Sequence, residues 1–271
     1  MGRAKIVIPK EILHRLYWQE DLSPIEIAKQ YKCDPITVRT RMRELGIAVR
    51  SQSSARMRYK KYDFSGDFIE KSYLIGFRLG DLNVYQTSEG SDLVVVRCNT
   101  TQAVQVELMK KLFSPYGHVT VSHGKHSINI NCYLNRSFMF LLSKNGTPLW
   151  LYGDDSYILA FIAGYIDAEG SFLLNQRKAR FKMDAYDENI LCPMAEWLQQ
   201  QGINVKIRKI GLSGQERSDG TIFHHDLWRI NINEAQSLGH FIRMIKPYIQ
   251  HQARLQQIIL CETNISQRGL G

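Results

Sequence analysis

LIGFRLGDL (Leu74–Leu82) and IAGYIDAEG (Ile162–Gly170) are two versions of one nine-residue phrase, 88 positions apart. Each reads as the end of an apolar helix with small residues four apart, Gly76 with Gly80 and Gly164 with Ala168. Residues at that spacing share one helical face, and small ones let two backbones approach closely. Each phrase then delivers an acid at its eighth position, Asp81 and Glu169. If the two helices pack through their small-residue faces, the two carboxylates arrive side by side at the negative ends of two helix dipoles. That placement is unfavourable by about 0.3–1 kcal/mol per acid, so a positive group is required, and a divalent cation suits paired carboxylates.

The repetition extends beyond the phrase. After Asp81 come an extended stretch, a strand at Asp92–Cys98 and a helix opened by Thr101 and running to Phe113. After Glu169 come Ser171–Gln176, Arg180–Tyr186 and a helix opened by Asp187. Thr101 and Asp187 are suitable N-caps. Strands follow at Val119–Ser122 and Ser127–Leu134 in the first half, and at Val205–Ile210 and Leu227–Ile232 in the second. Short helices at Ser137–Leu142 and Glu234–Ile245 close the halves. The expected unit is αββαββα, twice, as residues 63–145 and 154–271 joined by a connector at 146–153.

At these residues the chain resembles the LAGLIDADG homing endonuclease family, over residues 62–271. The second phrase is close to the family consensus; the first departs from it, with Arg78 inside the helix and Leu82 in place of the usual Gly. The resemblance implies an α+β fold in which the two pseudo-symmetric halves form a saddle of antiparallel sheets. It implies a monomer that hydrolyses both strands of a long asymmetric duplex DNA target. Asp81 and Glu169 would be the catalytic, metal-binding acids, with backbone carbonyls near Gly80 and Ala168 completing the site. The cofactor would be Mg²⁺, with Mn²⁺ as a substitute. The family adds basic or polar groups that order water, for which position points to Lys144, His251 and Gln252. A non-catalytic DNA-binding regulator and an intron RNA maturase stay open as alternatives, the latter with intron RNA as partner.

Charge separates the N-terminal quarter from the rest. Residues 1–61 hold 14 Lys/Arg against 6 Asp/Glu, and the remaining 210 hold 21 against 20. Such asymmetry points to a polyanionic partner. A helix at Pro9–Trp18, a capping-box start at Ser23–Glu26 and a third helix from Ile36 to Leu45, stopped by Gly46, resemble a helix-turn-helix at residues 1–50. Ile36, Val38, Met42 and Leu45 are expected inward. Thr37, Arg39, Thr40, Arg41 and Arg43 are expected outward for the major groove. Residues 51–62 read as a basic linker whose Arg56, Arg58, Lys60 and Lys61 track phosphates.

Period-two alternation gives each strand an apolar and a polar face. The polar faces carry Arg97, Asn129 and Asn131 in the first half. In the second they carry Arg180, Lys182, Lys206, Arg208, Arg229 and Asn231. These side chains suit base edges and phosphates. The five cysteines lack paired spacing, which argues against zinc or a disulfide framework and for a cytoplasmic setting. No apolar run has membrane-spanning length. The pair His123/His126 lacks a third metal ligand in pattern, and P-loop and GxSxG signatures are absent.

Overall fold

The computed structural model describes residues 8–20, 22–49, 59–144, 146–217 and 219–269. The chain divides into two compact units, Met1–Arg58 and Tyr59–Gly271. Arg56 and Arg58 lie outside the described residues.

In the first unit, α1 (Lys10–His14) continues into a π-helical turn, Arg15–Gln19, and is followed by α2 (Pro24–Gln30) and α3 (Pro35–Glu44). The capping box forms: Ser23 Oγ accepts from Glu26 N at 3.2 Å, and Glu26 Oε2 accepts from Ser23 N at 2.7 Å. Asp34 caps α3 through Ile36 N at 2.7 Å. Leu13, Tyr17, Ile27, Val38 and Met42 form its core. Ile36 is not inward as expected but 68 % exposed. It lies two residues from Val38, on the opposite side of the helix.

The second unit opens with α4 (Phe68–Asp81), β1 (Asn83–Gln86), β2 (Val94–Thr100), α5 (Ala103–Phe113), β3 (His118–His123) and β4 (Ile128–Leu134). A 3₁₀ turn, Arg136–Leu141, stands where a closing helix was expected. The second half repeats the order with α6 (Asp155–Glu169), β5 (Gly170–Asn175), β6 (Lys178–Ala185), α7 (Glu188–Gln200), β7 (Val205–Gly211), β8 (Leu227–Ile232) and α8 (Ala235–Ile245). The sheets are antiparallel, ordered β1-β2-β4-β3 and β5-β6-β8-β7. This is the expected pair of four-stranded halves.

One element has no counterpart in the repeat. After a 3₁₀ turn at Lys246–Tyr248, α9 (Gln252–Gln267) packs over the β5–β6 hairpin through Ile258, Cys261 and Ile265. Gln257 and Asn264 accept from the backbone N–H groups of Phe172 and Ala179 at 3.2 and 3.0 Å, donors the ladder leaves unpaired.

The N-cap reading needs correction in both halves. Gln102, not Thr101, holds the cap position of α5, and Thr100 Oγ1 takes the Gln102 N–H at 3.0 Å. Asp187 does precede α7, but its carboxylate makes no cap bond and accepts from Tyr165 OH at 3.0 Å.

The two halves meet through α4 and α6. A Cβ on Gly76 would fall 2.0 Å from Phe161 O, and one on Gly164 would fall 2.1 Å from Tyr73 O. Backbone therefore rests on backbone at each crossing. Tyr73, Leu74, Phe77, Phe161, Ile162 and Tyr165 flank the seam within one continuous apolar core. Phe181, Met183, Ile230 and Ile232 close that core from the second sheet; Val94, Val96, Ile130 and Cys132 do so from the first.

Candidate active site

The seam ends at the two acids. A Cβ on Gly80 would lie 2.3 Å from Ala168 Cβ and 3.2 Å from Glu169 Cγ, so the last turns of α4 and α6 touch where the carboxylates emerge. Below them lies a cleft of about 350 Å³ lined by Asp81, Asn99–Gln102, Gln105, Asp167, Ala168, His251 and Arg254.

The departures of the first phrase have local explanations. Arg78 is buried and donates to the carbonyls of Leu141, at 2.9 Å, and Leu82. It thus satisfies the Leu82 carbonyl at the C-terminal end of α4, where a cation is favoured, and ties that end to the 3₁₀ turn through Leu141. Leu82 has φ −102° and packs into the core, a conformation that needs no glycine. At the matching Gly170, a Cβ would meet Ile166 Cγ2 at 2.7 Å. Asp81 stays on the cleft in spite of both changes.

The two acids sit in different surroundings. Asp81 Oδ2 accepts from Gln105 Nε2 at 2.9 Å and from Cys98 Sγ at 3.7 Å. Desolvation raises its carboxyl above the ordinary 3.8, and the Cys98 bond opposes that. Glu169 is raised to about 7, first by desolvation, then by the charges of Asp81 and Asp187, with Arg254 opposing. Each acid is thus costly to ionise without added positive charge.

Burial pushes Asp167 up to about 6, against bonds from Tyr73 OH and the Gln250 and His251 N–H groups and the charge of Arg254. Burial holds His251 down at about 4, with Arg254 adding to the effect. His251 caps α9 through Ala253 N at 3.2 Å.

The donor set suits a hard divalent ion. Two oxygen-bearing acids converge, and the last carbonyls of a helix, Gly80 and Ala168 included, lack intrahelical donors. Among the described residues, no group of three or more His, Cys, Asp and Glu side chains is arranged around a common point. Water and substrate oxygens would complete the shell, as Mg²⁺ favours. Of the positional choices for water ordering, only His251 reaches the cleft. Lys144 and Gln252 are exposed and do not line it. Arg254, Gln105 and Asp167 line the cleft without having been anticipated. Asp167 could have been noticed as a carboxylate inside an apolar helix; Arg254 carries no local signal.

Residues 156–246 match the family model described as a LAGLIDADG-like domain. The match falls within the second half of the repeat. A search of curated proteins returns no match. Similar solved structures include the homing endonuclease I-WcaI bound to its DNA recognition sequence, at 13 % identity and TM-score 0.48, covering 70 % of this chain and 86 % of that one. I-DmoI in complex with DNA and Ca has 15 % identity and TM-score 0.47, covering 72 % and 98 %. Full-length DUF199/WhiA from Thermatoga maritima has 18 % identity and TM-score 0.46, covering 76 % and 63 %.

The polar face of the second sheet is cationic. Arg180, Lys182, Arg208, Arg229 and Asn231 line a shallow depression of about 270 Å³. Lys206 and Arg208 are exposed, opposite Asn231 and Arg229 in register. Arg229 is committed to a two-pronged pair with Asp184, its Nε and Nη2 each 2.6 Å from a carboxylate oxygen, and Lys182 stands 3.6 Å from the same acid. Arg180 donates to Asn233 O at 3.2 Å.

The first half is closer to neutral. Arg97 donates to Asn131 Oδ1 at 2.9 Å and lies over the Tyr85 ring, while Asn129 faces Asn99 across the ladder. Tyr59, His118 and Tyr133 form a stack beside them, the first two rings 3.6 Å apart. Lys60 lies over the Tyr62 ring at 5.2 Å. Lys61 is half-buried, its ammonium lowered by desolvation and supported by Asp92.

In the first unit, Thr37, Arg39, Thr40 and Arg43 share the exposed side of α3. Arg41 is instead partly buried and paired with Glu44 at 3.0 Å. No helix among the described residues is long and apolar enough to cross a membrane.

Proposed function

We propose that the chain is a sequence-specific endonuclease that hydrolyses both strands of duplex DNA, one half of the saddle serving each strand. The observation that supports it most is the pair of acids meeting beneath a seam in which glycine backbones touch. A scaffold that only bound DNA would gain nothing from crowding two carboxylates whose ionisation each opposes.

Asp81 and Glu169 would hold divalent ions, Mg²⁺ or Mn²⁺, with the carbonyls of Gly80 and Ala168. Such an ion supplies an activated water and charge neutralisation at the leaving oxygen. The protein's own groups do the rest. Gln105 and the Cys98 thiol fix the Asp81 carboxylate, and neutral His251 presents a polar wall that adds no positive charge to repel the ion. The cationic face of β6–β8 takes one side of the duplex, and Arg97 with Asn129 and Asn131 takes the other. That difference suits an asymmetric target and one chain acting as a monomer.

In this reading the first unit is a helix-turn-helix that adds affinity through Thr37, Arg39, Thr40 and Arg43, with the basic residues from 51 to 62 following phosphates. The test is incubation with a randomised duplex library and Mg²⁺. Paired strand cuts are expected, reduced by at least ~10²-fold in Asp81→Asn and Glu169→Gln. Specific binding by the wild-type chain with no cuts in Mg²⁺ or Mn²⁺ would establish a regulator instead.

A further inference from the structure

Asp167 is buried, two residues before Glu169, yet has no cation within ion-pair distance among the described residues. Its Oδ2 accepts three hydrogen bonds from two other segments: Tyr73 OH of α4 at 2.7 Å, Gln250 N at 2.8 Å and His251 N at 3.0 Å. Oδ1 is buried without a partner. Three donors converging on one buried oxygen leave it little freedom to move. This oxygen therefore fixes the entry to α9 against both seam helices.

In the first turn of α9, Arg254 stands on the cleft wall. Its Nε donates to Ile166 O and its Nη1 to Gln257 Oε1, both at 3.4 Å, and no carboxylate of the described residues lies within 4.0 Å. Burial lowers its pKa, with Asp167 and Glu169 opposing, and its guanidinium stays protonated in the usual range. It is the one Arg or Lys lining the cleft among the described residues, since Lys144 points elsewhere and His251 is neutral.

We infer that Asp167 is a positioning residue that latches the C-terminal helix onto the seam, so that Arg254 meets a phosphodiester of the duplex entering the cleft. A planar guanidinium held through Nε and Nη1 by neutral acceptors keeps Nη2 for a phosphate. The latch explains why a carboxylate is buried within an otherwise apolar helix, and why α9 breaks the repeat. The nature of the ligand rests on the DNA reading above.

The probe is a duplex enriched by the wild-type chain from the random library in Ca²⁺, with binding measured by anisotropy across a salt series. Arg254→Met should lower the slope of log K against log [salt] by about 0.9, the value of one phosphate contact. Arg254→Lys should keep the slope, and Arg243→Met, an exposed cation of α8 outside the cleft, should not change it. Asp167→Ala should lower the slope as Arg254→Met does, and the double variant should fall no further. Should Asp167→Ala fail to fold, Tyr73→Phe removes one of the three donors and should lower single-turnover cleavage and slope together. An unchanged slope in Arg254→Met, or full additivity in the double variant, overturns the latch even if the wild-type chain cuts DNA. A lowered slope in a wild-type background that binds without cutting keeps the latch and discards the nuclease.

Discussion

Replacing Gly164 by alanine adds one methyl group at the point where α6 crosses α4. The new Cβ would lie 2.1 Å from Tyr73 O and 2.8 Å from Phe77 N, both backbone atoms of a buried helix. Ordinary contact begins at 3.4 Å, so the helices must part by about 1.3 Å, and no rotamer change can relieve the clash. Overpacking of this kind costs about 1–3 kcal/mol, and two rigid helices place it at the upper end. Alanine's better helix propensity returns about 1 kcal/mol. The net loss is about 2 kcal/mol, which for a unit of this size lowers Tm by about 4–8 °C.

The same substitution at Gly239 in α8 makes an informative partner. There the Cβ meets only the flexible Arg243 Nη1, at 3.6 Å, so propensity alone acts and Tm should rise slightly. Thermal unfolding followed by circular dichroism, with cleavage assayed on the folded variants, reads both effects. Separating the helices also moves Asp81 relative to Glu169, so Gly164→Ala should lose cleavage even well below its Tm. A Gly164→Ala protein as stable and active as the wild-type chain would refute the close-contact seam, and with it the reasoning that brings the acids together.

Three further outcomes are expected. Burial holds His251 at about 4 in the folded protein against an ordinary 6.5, so the folded chain binds fewer protons and its stability falls as pH drops from 6.5 through 4. His251→Asn keeps a capping acceptor for Ala253 N, and its Tm should decline less over that window; parallel curves would show that His251 is not buried neutral. Asp184→Asn releases Arg229 and Lys182 from their shared acid, so it should steepen the salt dependence of duplex binding by about one phosphate contact, and an unaltered slope would place these cations off the DNA. Removing residues 1–61, with 14 Lys/Arg against 6 Asp/Glu, should weaken binding and flatten its salt dependence, while equal affinity at every salt concentration would exclude that quarter from the interface.

Local spacing by itself determined a good deal about this protein. The paired small residues in Leu74–Leu82 and Ile162–Gly170 fixed which helical faces would meet. The alternation in Arg180–Tyr186 and its counterparts fixed which strand faces would be polar. Both are legible because a helix repeats every 3.6 residues and a strand every two, so a side chain's direction follows from its neighbours.

What the tertiary structure decided are the pairings between distant segments. Tyr73 and His251 meet on Asp167 across separations of 94 and 84 residues, and α9 brings Arg254 to a cleft built mainly by the other half. Arg78 turns inward because Leu141 and Leu82 offer carbonyls there, and Arg229 is claimed by Asp184 from the neighbouring strand. Periodicity assigns a side chain to a face, but the partner waiting on that face depends on which elements the whole core brings together.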